Sequence, residues 1–176
     1  MRHLHLFFTL LVVAFVTLLS PSARAAVDGF LQIPEAPGES KDAKHAGWID
    51  VATYDEHVAG SARTFAFTML VNKASPKLLQ ATTTGQTYKT ALLELRKAGQ
   101  QQQVFFTVRF EGVRVASVTT AFSQDVPLVR VVFTCDKATW TYWTLRQDGT
   151  LDAQFQWTSD FRGPAPLKLE DVPRVR

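Results

Sequence analysis

The stretch QVFFTVRFEGVRVASVTT, residues 103–120, constrains the fold more than any other part of the chain. Val104, Phe106, Val108 and Phe110 fall on one face, with Thr107 and Arg109 between them, so the period is two and the segment is a strand. After Gly112 the apolar parity changes, to Val113 and Val115. A one-residue slip in a strand exchanges its faces. A bulge or bend is therefore expected at Glu111-Gly112.

Other segments repeat the pattern. WIDVATYDEHV (48–58) is strand-like, with Ile49, Val51 and Thr53 on one face, and TFAFTMLV (64–71) alternates Phe65, Phe67 and Met69. PLVRVVFTC and ATWTYWTLR add two more strands, and Asp148-Gly149 signals a hairpin turn after them. KASPKLLQATTTG (73–85) breaks the series. Ser75 is a good N-cap, since its hydroxyl can accept from a free first-turn amide, and Pro76 suits the first helical position. Three threonines and Gly85 stop the helix after about two turns. Alone it would be marginal, so Leu78 and Leu79 are expected to dock on a sheet. YKTALLELRKAG (88–99) is ambiguous: its residues are good helix formers, yet Ala91, Leu93 and Leu95 also alternate with polar neighbours. PEAPGESKDAKHAG (34–47) reads as a loop, and 161–176, with three prolines and no clear period, as an irregular tail.

The first 25 residues read as a secretory signal peptide. Arg2 precedes an apolar run from Leu6 to Leu19, and Ala23-Arg24-Ala25 supplies a small-residue cleavage signal. The run is shorter than the roughly 20 residues that span a bilayer, so no membrane anchor is expected after cleavage. What remains, roughly 150 residues, suits one domain with its own core. Without Arg2 and Arg24 the 19 basic residues nearly balance the 16 acidic ones, and no basic stripe interleaved with aromatics suggests nucleic acid. The single cysteine, Cys135, excludes an intrachain disulfide.

A search for chemistry returns no catalytic, cofactor-binding or metal-binding set. Beyond the leader the chain has two histidines, His45 and His57, too far apart for a ligand pair and readable as surface or loop residues. Cys135 sits in a strand pattern, as a small buried apolar residue does. No serine lies in a G-x-S-x-G setting, and Gly38, Gly47, Gly60, Gly85 and Gly99 punctuate loops rather than cradle phosphate. Glu35, Glu39, Asp42, Asp50, Asp55 and Glu56 are scattered acids. Trp48, Trp140, Trp143 and Trp157, with Tyr54, Tyr88 and Tyr142, leave two roles open: core and interface packing, or an aromatic platform on an exported β-sandwich that binds glycan or protein.

GESKDAKHAGWIDV (38–51), KASPKLLQATTTG (73–85), LELRKAG (93–99) and P…VRVVFTCDKATWTY (127–142), in this order, resemble the Hcp family, the haemolysin-coregulated tube proteins of type VI secretion. The resemblance covers about 27–142, with DGTLDAQFQW extending it to Trp157. It implies a mainly β fold: a β-barrel of two packed antiparallel sheets over 26–160, with one short helix at about 75–84. It assigns 88–99 to a strand against propensity. It further implies a non-enzymatic protein forming homohexameric rings that stack into a tube, with a spike protein at the tip and effector cargo carried or chaperoned in the lumen. The leader is a departure from the family pattern, and implies an exported chain, periplasmic or extracellular. The segment 54–64 is also short for the family.

Overall fold

Gly112 is the corner around which the chain is built. The computed structural model describes residues 27–59, 62–98, 102–123 and 125–162. The expected leader and all of the tail beyond Arg162 lie outside them. Strands β1 (Val27–Gln32), β2 (Ile49–Val51), β3 (Thr53–Ala59) and β4 (Ala62–Leu70) precede helix α1 (Ser75–Thr84). Strands β5 (Thr87–Lys97), β6 (Val104–Ser123), β7 (Val126–Thr134), β8 (Lys137–Leu145) and β9 (Leu151–Asp160) follow. All pairings are antiparallel.

β6 is 20 residues long, and it changes partner halfway. Its first part, Phe106 to Glu111, pairs with β8; its second, Arg114 to Ser123, pairs with β7. β7 and β8 therefore run as one passage along β6, kinked at Cys135-Asp136 opposite Gly112. Gly112 has a φ of 63°, in the left-handed region, and the Asp136 amide donates to the Glu111 carbonyl at 2.8 Å. The parity change expected from the sequence is present: Val108 and Phe110 are buried before the corner and Val113 after it. A register shift lies further on, between Val115 and Ser117. The bend turns one hydrogen-bonded path into two packed layers. Phe65 of β4 meets Phe110 of β6 edge-on at 5.0 Å and stacks on Phe133 of β7 at 5.5 Å.

The strand order is β2-β1-β5-β6-β7-β4-β3, with β8 and β9 added on β6. The chain 49–59 closes the barrel, because β2 pairs with β1 and β3 pairs with β4. The sequence suggests a single strand here; the structure divides it at Ala52, whose amide donates to the Thr68 carbonyl at 2.8 Å. One passage must serve two sheet edges that point differently, so it bends. Ile49 enters the core while Thr53 is exposed, which separates two residues expected on one face.

The ambiguous segment is β5, hydrogen-bonded to β1 on one side and β6 on the other. Two partners and the burial of Ala91 and Leu93 outweigh a weak helical propensity. The helix forms where expected, with two corrections. Its N-cap is Ala74, with no side-chain cap hydrogen bond. Ser75 is already helical, and its hydroxyl accepts instead from the Asn72 amide at 3.1 Å. Asn72 Oδ1 in turn accepts from the Ala74 amide at 2.8 Å, so an Asx turn launches the helix. Leu78 and Ala81 are buried, but Leu79 is 53% exposed. Adjacent residues stand about 100° apart on a helix, so both leucines cannot face one sheet. Gly85 ends the helix in the left-handed conformation. The β8–β9 hairpin turns at Asp148-Gly149 as expected, with the Arg146 amide donating to the Thr150 carbonyl at 2.9 Å. Phe161, just past β9, packs on Phe65 and Trp140.

Candidate assembly surface

The outer face of the β1–β5 pair carries Asp28 opposite Arg96 and Phe30 opposite Glu94. The loop between β1 and β2 folds back over this face. Its path is fixed by backbone bonds: the Ser40 amide to the Trp48 carbonyl at 2.9 Å, the Gly47 amide to the Ser40 carbonyl at 2.9 Å, and the Trp48 amide to the His45 carbonyl at 3.0 Å. Gly38 lies so close to Trp48 and Ile49 that a Cβ there would collide with their backbone.

This fold-back buries His45 and Arg96, which are 2% and 3% exposed. The imidazole stacks on Phe30 with centroids 4.0 Å apart and meets Trp48 edge-on at 4.8 Å. His45 Nδ1 lies 2.8 Å from Asp42 Oδ1, and Nε2 lies 2.9 Å from Glu94 Oε2. Arg96 donates from Nη1 to Asp42 and from Nη2 to Asp28, each at 2.8 Å, and its guanidinium sits 4.8 Å from the Phe30 ring centre. The His45 ring first, and then the Arg96 guanidinium, hold the Asp42 carboxyl well below the usual carboxylate range. His45 is in a loop, as read from the sequence, but it is a buried joint rather than a surface residue. Both ring nitrogens of His45 and both terminal nitrogens of Arg96 meet carboxylates, while Arg96 Nε is buried without a partner, and the cluster locks the loop to the barrel. Arg96 was not singled out from sequence. Its signal was present: an arginine one turn of the pleat from Glu94, with Asp28 and Asp42 upstream.

The other residues considered for chemistry remain apart. His57 is exposed on β3. Cys135 is buried at the β7–β8 corner, where burial pushes its thiol up to about 12. Asp55 pairs with Arg130 at 2.8 Å. Glu56 accepts from the Tyr54 hydroxyl and from Trp140 Nε1, each at 2.9 Å, pinning β3 across to β8. Burial, then the Glu56 carboxylate, push the Tyr54 hydroxyl far above its ordinary value. Among the described residues no cluster of His, Cys, Asp and Glu could hold a metal ion, and no helix is long and apolar enough to cross a membrane.

What the barrel leaves uncovered is a surface. β9 is ten residues long, pairs only with β8 among the described residues, and is exposed over most of its length. Phe155 stands opposite Tyr142, and Trp157 opposite Trp140, on the face that carries the core further back. Ala138 on that face is fully buried and Trp140 half-buried, whereas Tyr142 is 45%, Phe155 60% and Trp157 70% exposed. Among the described residues β3 likewise pairs only with β4.

Among the described residues, then, the polar groups join parts of one closed barrel, and β9 pairs only with β8. The family model described as "Type VI secretion system effector, Hcp" matches residues 30–142. Protein hcp1 of Pseudomonas aeruginosa is 32% identical, over 56% of this chain and 70% of that protein. The crystal structure of Hcp1 from Salmonella typhimurium superposes with a TM-score of 0.71 at 25% identity, covering 80% of this chain and 99% of the other. A type VI secretion system effector from Yersinia pestis superposes with a TM-score of 0.66 at 29% identity, covering 76% and 99%. The chain belongs to the Hcp family: it is a structural tube protein of type VI secretion, not an enzyme. That assignment favours the tube subunit over a free-standing binding module.

Proposed function

We propose that the chain is exported and assembles into homohexameric rings that stack into a tube. In this reading 1–25 is a cleaved leader, 26–160 the barrel that packs into the ring, and 161–176 a tail. The ring lumen carries effector cargo, and a spike protein closes the tube. The leader places the mature chain in the periplasm or outside the cell. The observation that carries the proposal is the bare, ten-residue β9 with its aromatic face, joined to a barrel of the Hcp family. A strand edge that no described residue pairs is a hazard in a protein that stays alone and an asset in one that assembles.

The test is native mass together with negative-stain imaging. Six-membered rings at tens of micromolar are expected, and a clean monomer would overturn the assembly. Cell fractionation with sequencing of the mature N-terminus tests the export. A protein beginning at Met1 in the cytoplasm would remove the leader from the proposal and leave the ring intact.

A further inference from the structure

We infer that the loop 34–47 is a pH-dependent latch, fastened to β5 by a doubly protonated His45 ring and released from its Glu94 side when that ring gives up one proton. The latch belongs to the single protomer and does not depend on the assembly proposed above. Segment 40–48 is closed on itself: the Ser40 amide donates to Trp48, Gly47 to Ser40, His45 to Asp42 and Trp48 to His45. Among the described residues, two side-chain links tie this segment to β5, Asp42 to Arg96 and His45 to Glu94. The two links differ in kind. A guanidinium keeps its charge at every pH a protein meets, whereas an imidazole changes its charge near neutrality.

A neutral imidazole donates from one nitrogen and presents a lone pair on the other; only the cation donates from both. In the closed loop Nδ1 lies 2.8 Å from Asp42 and Nε2 lies 2.9 Å from Glu94, so closure requires the cation. The charges around the ring agree. Asp28, Asp42 and Glu94 bring three negative charges to a site where Arg96 supplies one positive, and the second ring proton supplies another. The ring lies parallel to Phe30 within 2°, at 4.0 Å, which suits a cation, and Trp48 meets it edge-on without adding charge. The remaining charged groups near it are exposed: Glu39, Lys41 and Lys44 in the loop, Asp50 opposite Phe30 on β2, and Arg109 diagonal to Glu94 on β6.

Loss of one proton acts on Glu94 rather than on Asp42. Asp42 Oδ1 also accepts from the Lys44 and His45 amides, at 3.0 and 3.1 Å, and its Oδ2 accepts from Arg96. That carboxylate is fixed in place and ionised, so the neutral ring keeps its proton on Nδ1 and turns a lone pair on Glu94. The Glu94 side chain is 21% exposed and has an exit to water. Opening releases a proton that closing takes up. Closure is therefore firmest below the ordinary imidazole range and weakens as pH rises through that range and above it.

The test is trypsin cleavage of the full chain after Lys41 and Lys44, which lie in the loop and are reached by a protease only when it opens. Protein concentration is held fixed, and rates are divided by those of an unstructured lysine peptide at each pH. Between about pH 6.5 and about pH 9.5 the wild type should gain at least about tenfold, as expected when one charge-assisted hydrogen bond is lost. Glu94→Gln offers an amide that can bond either form of the ring. Its cleavage should stay level over the same range, with the near-ultraviolet circular dichroism of the barrel kept. A level rate in the wild type, or an equal rise in Glu94→Gln, overturns the latch. Nitrogen-15 spectra of histidine-labelled wild type read the ring without any variant, with His45 assigned through its contacts with Phe30 and Trp48. At about pH 7.5, where a free imidazole is mostly neutral, both His45 nitrogens should carry the protonated signature. One bare nitrogen at that pH, with the loop still resistant to trypsin, overturns the latch as well.

Discussion

Two single residues test how the corner and the loop joint work. Gly112 takes a left-handed φ, and an added Cβ would run into the Asp136 carboxylate, which pairs with Arg114. Gly112→Ala therefore combines backbone strain with displacement of an ion pair. The expected loss is about 2–3 kcal/mol, read as a lower urea midpoint. An unchanged midpoint would show that the corner relaxes freely. Asp42 tests the joint through pH. Its carboxyl is held below the ordinary range in the folded state, so the folded chain keeps it ionised where the unfolded chain would protonate it. Its contribution is present above the ordinary carboxylate range and is lost as pH falls through that range and below it. Between about pH 6 and pH 3 the wild type should lose more stability than Asp42→Asn, measured as urea midpoints at each pH. Asp160, held near 2 by its Arg162 partner, leaves the variant some residual slope. Gly112 was legible as a parity change. The joint was not, because Asp28, Asp42, His45, Glu94 and Arg96 come together only once the loop folds over the β1–β5 pair. The charges of Asp28, Asp42, Glu94 and Arg96 are visible in sequence, but their partners are set only by that fold-back.

At the scale of elements, local rules placed the strands and the helix well but set their orientation poorly. Helix α1 began and ended within a residue of expectation, since Pro76 and Gly85 act through local geometry. Which leucine docks was beyond such rules, because it depends on where the sheet lies. The structure makes the difference measurable. Leu78→Ala removes a fully buried side chain and should cost about 2–4 kcal/mol. Leu79→Ala touches a side chain that is half in water and should stay within about 0.5 kcal/mol. Equal losses from the two would mean that the helix is rotated from the orientation described. Strand β5 shows the opposite limit. Its composition favours helix, and pairing on both edges overrides it. The division at Ala52 was illegible for a related reason: a strand's own residues do not tell it that two separate edges await. The candidate surface was legible only as a set of aromatics. Their division into core and exposed row required the register of β8 against β9.

The whole molecule is a barrel closed by its 49–59 passage and opened, on this reading, only when the two layers part. Cys135 reports that opening. It is the one cysteine of the chain, buried where β7 becomes β8 and both layers meet. With its thiol pushed up to about 12, thiolate at mildly alkaline pH falls roughly a thousandfold below that of an ordinary cysteine. Burial also denies a reagent any approach until the corner separates. Labelling by a thiol reagent should therefore be much slower than in the urea-unfolded chain, by a factor set by how rarely the corner opens, and slowest if separation requires global unfolding. Native protein labelled at the unfolded rate would mean that the corner stands open. The same measurement bears on assembly. A partner that binds only the folded chain stabilises it by mass action, so opening becomes rarer as rings fill. The labelling rate should fall as protein concentration rises through half-assembly. A rate independent of concentration, in a protein that demonstrably forms rings, would show that the interface leaves barrel opening untouched.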